Sequence, residues 1–256
     1  MTASLVAVVA HPDDESLIAG GTLASVADAG TPTGAVSLTR GELGPIADPR
    51  LATRATLGDV REAELEAAAE VLGLSWTACL DLPDGELPWV DLRAAAGRLA
   101  GLLEPHRPSV LLSFGDDGLY GHPDHAAARQ IAGLAADCLE AQGAEALSIY
   151  EAAWPPDVVP ALAAAARERG LPADLWGLEP EAFGAEGKPA TLVIDVGGVL
   201  PKKLAALRAH RTQLGEAHLL AALPDDLAMQ FLRKEPWRLA RGPDGALEAL
   251  LGNRHG

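Results

Sequence analysis

Short apolar runs alternate along the chain with longer segments in which Ala and Leu recur among polar residues. The short runs predict strands, and the run at 5–10 has the unbroken apolar character of a strand buried on both faces. The longer segments have helical length, and several stop at a glycine, where a helix C-cap is expected. The predicted strands are 5–10, 35–38, 76–80, 110–114, 148–152 and 192–196. The predicted helices are 16–29, 59–72, 92–103, 124–142, 159–169, 202–214 and 225–233.

Alternating strands and helices predict βαβ units, and therefore a mainly parallel sheet in a single α/β domain covering 1–256. The stretch at about 154–190 interrupts the alternation, because it carries six prolines around one predicted helix. We expect this stretch to form a lid or an insertion within the domain. We expect the residues from about 245 onward to be frayed.

Composition and charge narrow the classes of partner. The 256 residues include 36 Asp and Glu against 20 Lys and Arg, which gives a formal net charge of -16. Nucleic-acid backbones and anionic membrane surfaces are bound mainly through Lys and Arg, so we expect neither as a partner. The 48% hydrophobic content excludes a disordered chain and supplies a sizeable core.

The cysteines and the N-terminal residues bear on the compartment. Cys79 and Cys138 lie far apart with no Cys-x-x-Cys spacing, so a disulfide framework is not expected and a reducing compartment fits better. The apolar N-terminal run is short and lacks a basic region, which argues against a signal peptide. No apolar stretch approaches the roughly 20 residues needed to span a bilayer. We therefore expect a cytoplasmic protein.

The segment 10–15, Ala-His-Pro-Asp-Asp-Glu, directly follows the first predicted strand. The carboxyl end of a strand that leads into a helix is where α/β folds place ligands. Pro12 suits the first helical turn, and His11 and Asp14 are spaced so that both can face one centre. Acidic residues also stabilise a helix N-terminus without any functional role, and this explanation remains open for the segment alone.

A second segment, 120–125, follows the predicted strand at 110–114 and repeats His-Pro-Asp in Tyr-Gly-His-Pro-Asp-His. A single histidine in such a place is more often structural. Two similar turns at the same end of one sheet instead predict a metal site with two histidines, one carboxylate and open positions for water and substrate.

These two motifs resemble the signature of the LmbE/PIG-L family of zinc-dependent N-deacetylases, and the similarity covers about residues 4–130 and 200–214. The stretch at 154–190 matches no part of the family pattern. Weaker similarity is carried by the segments Thr-Arg-Gly-Glu at 39–42, Arg-Glu-Ala-Glu at 61–64, Leu-Pro-Asp-Gly at 82–85 and His-Arg-Thr-Gln at 210–213.

The resemblance implies a Rossmann-like fold with helices on both faces of the sheet, and removal of an acyl group from an amino sugar. It implies that Asp13 is the general base, and that His122 steadies the oxyanion or protonates the leaving amine. The zinc ligands implied by the family pattern are His11, Asp14 and His125.

The resemblance also implies roles for four further residues. Asp124 would orient a histidine of the site. Tyr120 matches a tyrosine that assists at the tetrahedral intermediate in the deacetylases of the mycothiol pathway. Arg61 and Asp84 resemble residues that hold sugar hydroxyls.

The residues support the same chemistry independently of the family. Zinc lowers the pKa of a bound water from 15.7 to about 7, which an unactivated amide requires. Adjacent side chains diverge, so Asp13 does not share the ion bound by Asp14 and is free to take a proton. His122 lies close enough to His125 to stabilise developing negative charge when protonated.

Several polar and aromatic residues have both a functional and an ordinary interpretation. Glu42, His210 and Gln213 are candidates for the substrate pocket, but such residues more often serve as surface or capping polarity. Trp89 and Trp176 are candidates for the wall of a sugar subsite, although a tryptophan is more often part of the core.

Alternative functions stay open at this point. The same chemistry would serve an amidase acting on a larger thiol conjugate or an antibiotic. Two histidines and a carboxylate also occur in non-haem Fe(II) oxygenases, so Fe²⁺ or another divalent metal is an alternative to Zn²⁺. Those oxygenases are usually all-β jelly rolls with a His-x-Asp pair. In this chain strands alternate with helices, and two residues separate His11 from Asp14. A non-catalytic metal-binding scaffold is a further alternative.

We expect a small-molecule N-acyl substrate, and the sequence leaves open whether the chain forms a homo-oligomer.

Overall fold

A seven-stranded sheet organises the chain, whose computed structural model describes residues 4–252. Its strands are β1 Leu5–Val9, β2 Thr33–Thr39, β3 Trp76–Leu82, β4 Val110–Ser113, β5 Ser148–Ala152, β6 Leu192–Asp195 and β7 Lys234–Arg241. They lie in the order β3-β2-β1-β4-β5-β7-β6. The first five pair in parallel, and β7 runs antiparallel to both β5 and β6. The predicted mainly parallel, Rossmann-like α/β sheet is therefore confirmed.

Helices cover both faces of this sheet. They are α1 Asp14–Asp28, α2 Leu57–Leu72, α3 Leu92–Leu103, α4 Gly118–Gly121, α5 Pro123–Ala141, α6 Val158–Glu168, α7 Leu200–Ala209, α8 Asp225–Phe231 and α9 Ala246–Leu250. Helices α1, α2 and α7 pack together, and α3 packs on α5. The chain steps from β1 outward to β3 and then returns to β4, so right-handed crossovers place these two groups on opposite faces. Among residues 4–252, no helix combines the length and apolar character that crossing a bilayer requires.

The central strands show why the apolar runs form this sheet. Every residue of β1, β2 and β4 is buried, as expected for strands covered by helices on both sides. β1 and β4 are neighbours, but the chain leaves β1 toward β2 and leaves β4 toward β5. A crevice opens at such a switch point, beyond the carboxyl ends of the strands. Both His-Pro-Asp motifs lie there.

The C-terminal third differs from the sequence predictions. The helix predicted at 202–214 ends at Ala209, because Thr212 instead donates its backbone N–H and its hydroxyl to the Glu64 carboxylate at 2.8 and 2.6 Å. Strand β7 was not predicted, because its charged residues and Pro236 obscure any alternation of apolar and polar positions. The expectation of a frayed end from 245 is wrong for α9, which buries Leu247 completely. Residues 253–256, which also belonged to that expectation, lie outside the described part.

The proline-rich stretch 154–190 contains α6 and is attached to the crevice loops. The N–H of Gly184 donates to the Leu119 carbonyl at 2.7 Å, and Lys188 forms an ion pair with Asp116. The Phe183 ring is buried, with its centroid 5.0 Å from that of Tyr120. The stretch therefore packs directly against the loop that carries the second histidine motif.

Candidate metal centre

The turn after β1 brings His11 and Asp14 together. The N–H of His11 donates to Oδ2 of Asp14 at 2.8 Å, and Nδ1 of His11 lies 3.3 Å from the same oxygen. Asp13 is the N-cap of α1, with φ 125° and ψ −29°. This conformation is rare for a residue with a side chain and costs about 1–3 kcal/mol. As a result, the two neighbouring carboxylates have different partners: Asp14 faces His11, and Asp13 faces Arg61.

His125 is fixed in one tautomer at the start of α5. Its side chain is fully buried, and its ring stacks on Phe114 with centroids 3.9 Å apart. Nδ1 lies 3.0 Å from the Gly118 carbonyl oxygen, which can only accept, so Nδ1 carries the proton. Burial lowers the pKa of His125 to about 3, so the ring is neutral. Its Nε2 lone pair has no hydrogen-bond partner among the described residues.

Donor atoms of His11, Asp14 and His125 all lie within 4.8 Å of one another, close enough to hold one metal ion. Nε2 of His125 is 3.4 Å from Oδ1 of Asp14. Burial alone would raise the pKa of Asp14, but His125 and His11 outweigh it and hold this pKa well below its usual value. The three residues thus present one carboxylate and two imidazoles to a common centre, which is a frequent ligand set of zinc sites.

His11 has carboxylates on both sides of its ring. Besides Asp14 at Nδ1, Oδ1 of Asp84 lies 3.2 Å and Oδ2 of Asp124 lies 3.4 Å from its Nε2. Burial would lower the pKa of His11, but hydrogen bonding to Asp124, Asp14 and Asp84 raises it well above the usual value. The surroundings therefore favour positive charge at this imidazole, which either a proton or a metal cation supplies.

Both carboxylates behind His11 are held by backbone groups. Asp124 accepts the N–H groups of Gly85 and Leu87 at 2.8 and 3.2 Å. Asp84 accepts the Leu43 N–H at 2.7 Å with Oδ2 and faces His11 with Oδ1. Asp124 thus lies beside Nε2 of His11, and its role in orienting a histidine stays a prediction. Asp84, expected to hold a sugar hydroxyl, instead has both oxygens engaged by the protein.

Arg61, also expected at the sugar, is buried beside Asp13. Its Nη1 donates to the Gly41 carbonyl at 2.9 Å, and its Nη2 donates to the Pro12 carbonyl at 2.6 Å. Nη2 also lies 3.2 Å from Oδ2 of Asp13. Burial raises the pKa of Asp13 to about 6, although Arg61 opposes the rise. A carboxylate with such a pKa can accept a proton near neutral pH.

His122 and Tyr120 line the same crevice from the loop after β4. The His122 ring is half-buried, with its centroid 4.9 Å from that of His11. Its Nδ1 accepts the N–H of Asp124 at 3.2 Å, which leaves Nε2 for the crevice. Burial and the neighbouring His11 lower the pKa of His122. The Tyr120 ring centroid lies 5.0 Å from that of His125, and burial raises the pKa of its hydroxyl well above the usual value.

A second set of possible ligands, His11, His122 and Asp124, also lies within ligand distance. Asp124 already accepts two backbone N–H groups in that set, and Nδ1 of His122 is engaged. The first set contains the buried, unpaired Nε2 of His125 and is the better fit for a cation.

The remaining candidates are distributed around the loops. Glu42 is half-buried, and its Oε1 accepts the Asp84 N–H at 3.1 Å. Gln213 donates to the Pro45 carbonyl at 3.0 Å, so it holds loop backbone. Trp89 is 77% exposed and is not part of the core. Trp176 is half-buried and donates its indole N–H to the Gln213 carbonyl at 3.2 Å.

His210, expected at the substrate pocket, lies in the interior of the protein. It is fully buried, and its Nε2 is 2.9 Å from Oε1 of Glu15. Neither the buried contacts of Glu15 nor the packing of Phe183 on Tyr120 was predicted from the sequence. The sequence shows Glu15 only as a third acidic residue after Asp13 and Asp14. Its burial and its contact with His210 follow from the packing of α7 beside α1.

Comparison with known proteins places the chain among deacetylases. Residues 6–136 match the family described as PIG-L: GlcNAc-PI de-N-acetylase. A 1D-myo-inositol 2-acetamido-2-deoxy-α-D-glucopyranoside deacetylase from Thermomonospora curvata is 33% identical, over 93% of this chain and 90% of that protein.

Two solved structures share the fold. An N,N'-diacetylchitobiose deacetylase from Pyrococcus horikoshii superposes with a TM-score of 0.65 at 20% identity, covering 92% of this chain and 83% of its own. A 4-carboxy-2-hydroxymuconate hydratase from Pseudomonas putida KT2440 gives a TM-score of 0.67 at 23% identity, covering 95% of this chain and 98% of its own. A hydratase and a deacetylase on one fold mean that the reaction must be argued from the site.

Proposed function

This chain belongs to the PIG-L family, that of the GlcNAc-PI de-N-acetylases, and from that premise we propose that it hydrolyses the acetamido group of an N-acetylglucosamine conjugate. The chain is a deacetylase, an enzyme that cleaves a C–N amide bond. The observation that carries the proposal is the convergence of His11, Asp14 and His125 in the crevice, with Asp13 beside them. The substrate class follows the relative from T. curvata, whose name specifies a glucosamine joined to inositol.

The residues that would hold a metal ion are His11, Asp14 and His125. The fit rests on the buried, unpaired Nε2 of His125 and on the excess of carboxylates around His11. We take Zn²⁺ as the ion because two imidazoles and one carboxylate are a frequent catalytic zinc set; Fe²⁺ is the alternative that metal analysis decides. A cation bound there would polarise the amide carbonyl and acidify a water molecule.

Proton transfer falls to residues outside this set. Asp13, with its pKa raised to about 6, takes the proton from the attacking water. Asp13 then passes this proton to the leaving nitrogen. His122, whose Nδ1 accepts the Asp124 N–H, carries its own proton on Nε2 and donates a hydrogen bond to the developing oxyanion. Tyr120, packed between Phe183 and the His125 ring, donates a hydrogen bond to the developing oxyanion.

Residues expected to bind sugar take different roles in this proposal. Asp84 and Asp124 orient His11 through its Nε2. Arg61 holds the loop that carries Asp13. Glu42 remains the candidate for a substrate hydroxyl, because its Oε2 has no hydrogen-bond partner among the described residues.

The test is release of free amine by the purified protein. Substrates would be 1D-myo-inositol 2-acetamido-2-deoxy-α-D-glucopyranoside, free N-acetylglucosamine, an N-acyl thiol conjugate and an N-acylated glycopeptide antibiotic. Metal content would be measured before and after chelation. We expect fastest turnover of the inositol conjugate, loss of turnover on chelation and recovery with Zn²⁺. Preferred turnover of the antibiotic or thiol conjugate would replace the proposed substrate, and activity that survives complete metal removal would contradict the mechanism.

A further inference from the structure

The peptide group between Pro12 and Asp13 is held at both ends by buried side chains. Its carbonyl oxygen accepts a hydrogen bond from Nη2 of Arg61 at 2.6 Å, and its N–H donates to Oε2 of Glu15 at 3.0 Å. The orientation of this peptide plane sets φ of Asp13, which lies at 125°. The rare backbone conformation of Asp13 is therefore maintained by two specific contacts, one at the carbonyl and one at the N–H of this peptide group.

Glu15 is in turn held by a residue from the other end of the chain. Oε1 of Glu15 accepts from the Ser16 hydroxyl at 2.5 Å and from Nε2 of His210 at 2.9 Å. A carboxylate can only accept, so Nε2 of His210 carries the proton. Both Glu15 and His210 are fully buried, and 195 positions separate them. The turn that ends α7 thus reaches the backbone of Asp13 through Glu15.

The His210 ring serves this contact and little else. Its Nδ1 is buried and has no hydrogen-bond partner among residues 4–252. A buried ring nitrogen without a partner is unfavourable, and such groups in native proteins call for an explanation. A histidine that only tied α7 to α1 through packing could be an apolar residue of similar volume. The single hydrogen bond of its side chain is directed at the carboxylate that fixes the Asp13 peptide.

We propose that His210 is a positioning residue for Asp13, acting through Glu15 to keep the Pro12–Asp13 peptide in the orientation that aims the Asp13 carboxylate. The inference rests on the proposed function, in which Asp13 is the general base. Displacement of a catalytic group by about 1 Å can slow an enzyme about 100-fold without changing substrate binding. His210 therefore acts on kcat rather than on KM.

The experiment compares three variants of the full chain with the wild type. His210→Leu removes the donor to Glu15, while His210→Gln places an amide N–H where Nε2 stood. His218→Leu is the matched control, since it removes another buried imidazole, one that packs at a tilt against the Trp176 ring instead. The measurements are kcat and KM for deacetylation, metal per chain, melting temperature, and a crystal structure of His210→Leu.

We expect His210→Leu to lose about 10- to 100-fold in kcat with KM and metal content unchanged, and His210→Gln to recover most of the loss. The crystal structure should show φ of Asp13 moved away from 125° and its carboxylate displaced. His218→Leu should lower the melting temperature and leave kcat intact. A folded His210→Leu with wild-type kcat, or with Asp13 unmoved, would overturn the proposal, as would equal losses in His210→Leu and His218→Leu.

If His210→Leu does not fold, His210→Asn takes its place, because its shorter amide does not reach Glu15. A kcat for Asn as high as that for Gln would also overturn the proposal. Failure of the proposed function is a separate result, namely a metal-loaded wild type that deacetylates none of the substrates. The crystallographic comparison needs no turnover and decides the role of His210 even then.

Discussion

Neighbouring aspartates with different partners are the central feature at the scale of single residues. Asp14 faces two imidazoles, which keep it ionised despite burial. Asp13 faces Arg61 and a desolvated environment that raises its pKa to about 6. In the proposed mechanism, these different surroundings suit one carboxylate to metal ligation and the other to proton transfer. The positive φ at Asp13 is what separates them.

Replacement of Asp13 by Asn tests that separation. The side chain keeps its size but loses the ability to accept a proton, and the candidate ligands His11, Asp14 and His125 are untouched. We expect kcat to fall about 10²- to 10⁴-fold, while metal content, measured by mass spectrometry of digested protein, stays at the wild-type value. A variant that turns over at the wild-type rate would remove Asp13 as general base.

Replacement of His125 by Ala should act on the metal first. It removes the buried Nε2 aimed at the centre, so we expect both metal content and deacetylation rate to drop. His106→Ala is the control, because His106 stacks on Trp76 and makes no contact with the centre. Full metal occupancy in His125→Ala, equal to that of the control, would exclude His125 as a ligand.

The sequence was sufficient to predict the motif residues but not the residues around them. His11, Asp14 and His125 follow strands whose carboxyl ends must meet, so their proximity follows from topology. Arg61 and Asp84 lie on other elements, and whether they face a substrate or the protein depends on packing. In the structure, Nη1 and Nη2 of Arg61 and Oδ2 of Asp84 are hydrogen-bonded to backbone groups of the protein. These are tertiary contacts, which no spacing in the sequence records.

At the scale of elements, the stretch 154–190 works as a support for the loop after β4. Gly184 donates to the Leu119 carbonyl, next to Tyr120, and has φ 70°. A side chain at this position would overlap the carbonyl oxygen of Trp154. The backbone of the stretch can therefore approach the loop only because residue 184 is a glycine.

Gly184→Ala tests this support. The positive φ and the overlap together should lower the free energy of unfolding by about 3 kcal/mol, measured by urea denaturation, and kcat should fall because Tyr120 moves. Gly177→Ala is matched, since Gly177 has φ 74° in the same stretch but open space around it; about 1 kcal/mol is expected there. Equal effects in both variants would mean that the contact with Trp154 is unimportant.

Strand β7 escaped prediction because its stabilising partners come from distant elements. Glu235 is buried, accepts the N–H groups of Gly21 and Thr22 at 2.8 and 2.7 Å, and pairs with the buried Lys203 at 2.6 Å. A glutamate at an inward-facing position does not fit the apolar pattern of a buried strand unless the basic residue that pairs with it is known. Here that residue is Lys203, which lies on α7, 32 positions earlier.

Lys203→Met should therefore destabilise the protein strongly. It leaves Glu235 buried without its counter-ion, and we expect a loss of about 3–5 kcal/mol in the free energy of unfolding. The adjacent Lys202 pairs with Asp28 at 2.6 Å on the surface, so Lys202→Met should cost less than about 1 kcal/mol. Urea denaturation of both variants measures the difference. Similar, small losses in the two would show that the buried pair contributes little.

At the scale of the whole molecule, the net charge of -16 and the chemistry of the crevice are consistent with each other. The surface repels polyanions over distances comparable with the Debye length. Within the crevice, the carboxylates around His11 favour a cation. A neutral sugar conjugate is not repelled by the acidic surface.

The pH dependence of global stability should carry a distinct contribution from His218. Burial lowers the pKa of this residue to about 4, although Asp174 opposes the shift. An unfolded histidine titrates near 6.5, so as pH falls below that value the unfolded chain binds a proton that the folded chain refuses. Stability therefore decreases between about pH 6.5 and pH 4, by up to about 3 kcal/mol, and levels off below.

Other groups titrate in the same range, including Asp13, so the contribution must be isolated by difference. His218→Asn keeps an acceptor for the Leu220 N–H, which now donates to Nδ1 of His218 at 3.1 Å, but it cannot be protonated. The free energy of unfolding, measured at intervals from pH 7.5 to pH 4, should fall less steeply in the variant than in the wild type. Parallel curves would place His218 at an ordinary pKa. If the free energy of unfolding falls more steeply in the wild type, the folded protein requires a neutral His218 imidazole. The turn at 174–177 would share this requirement, because Trp176 packs against the His218 ring.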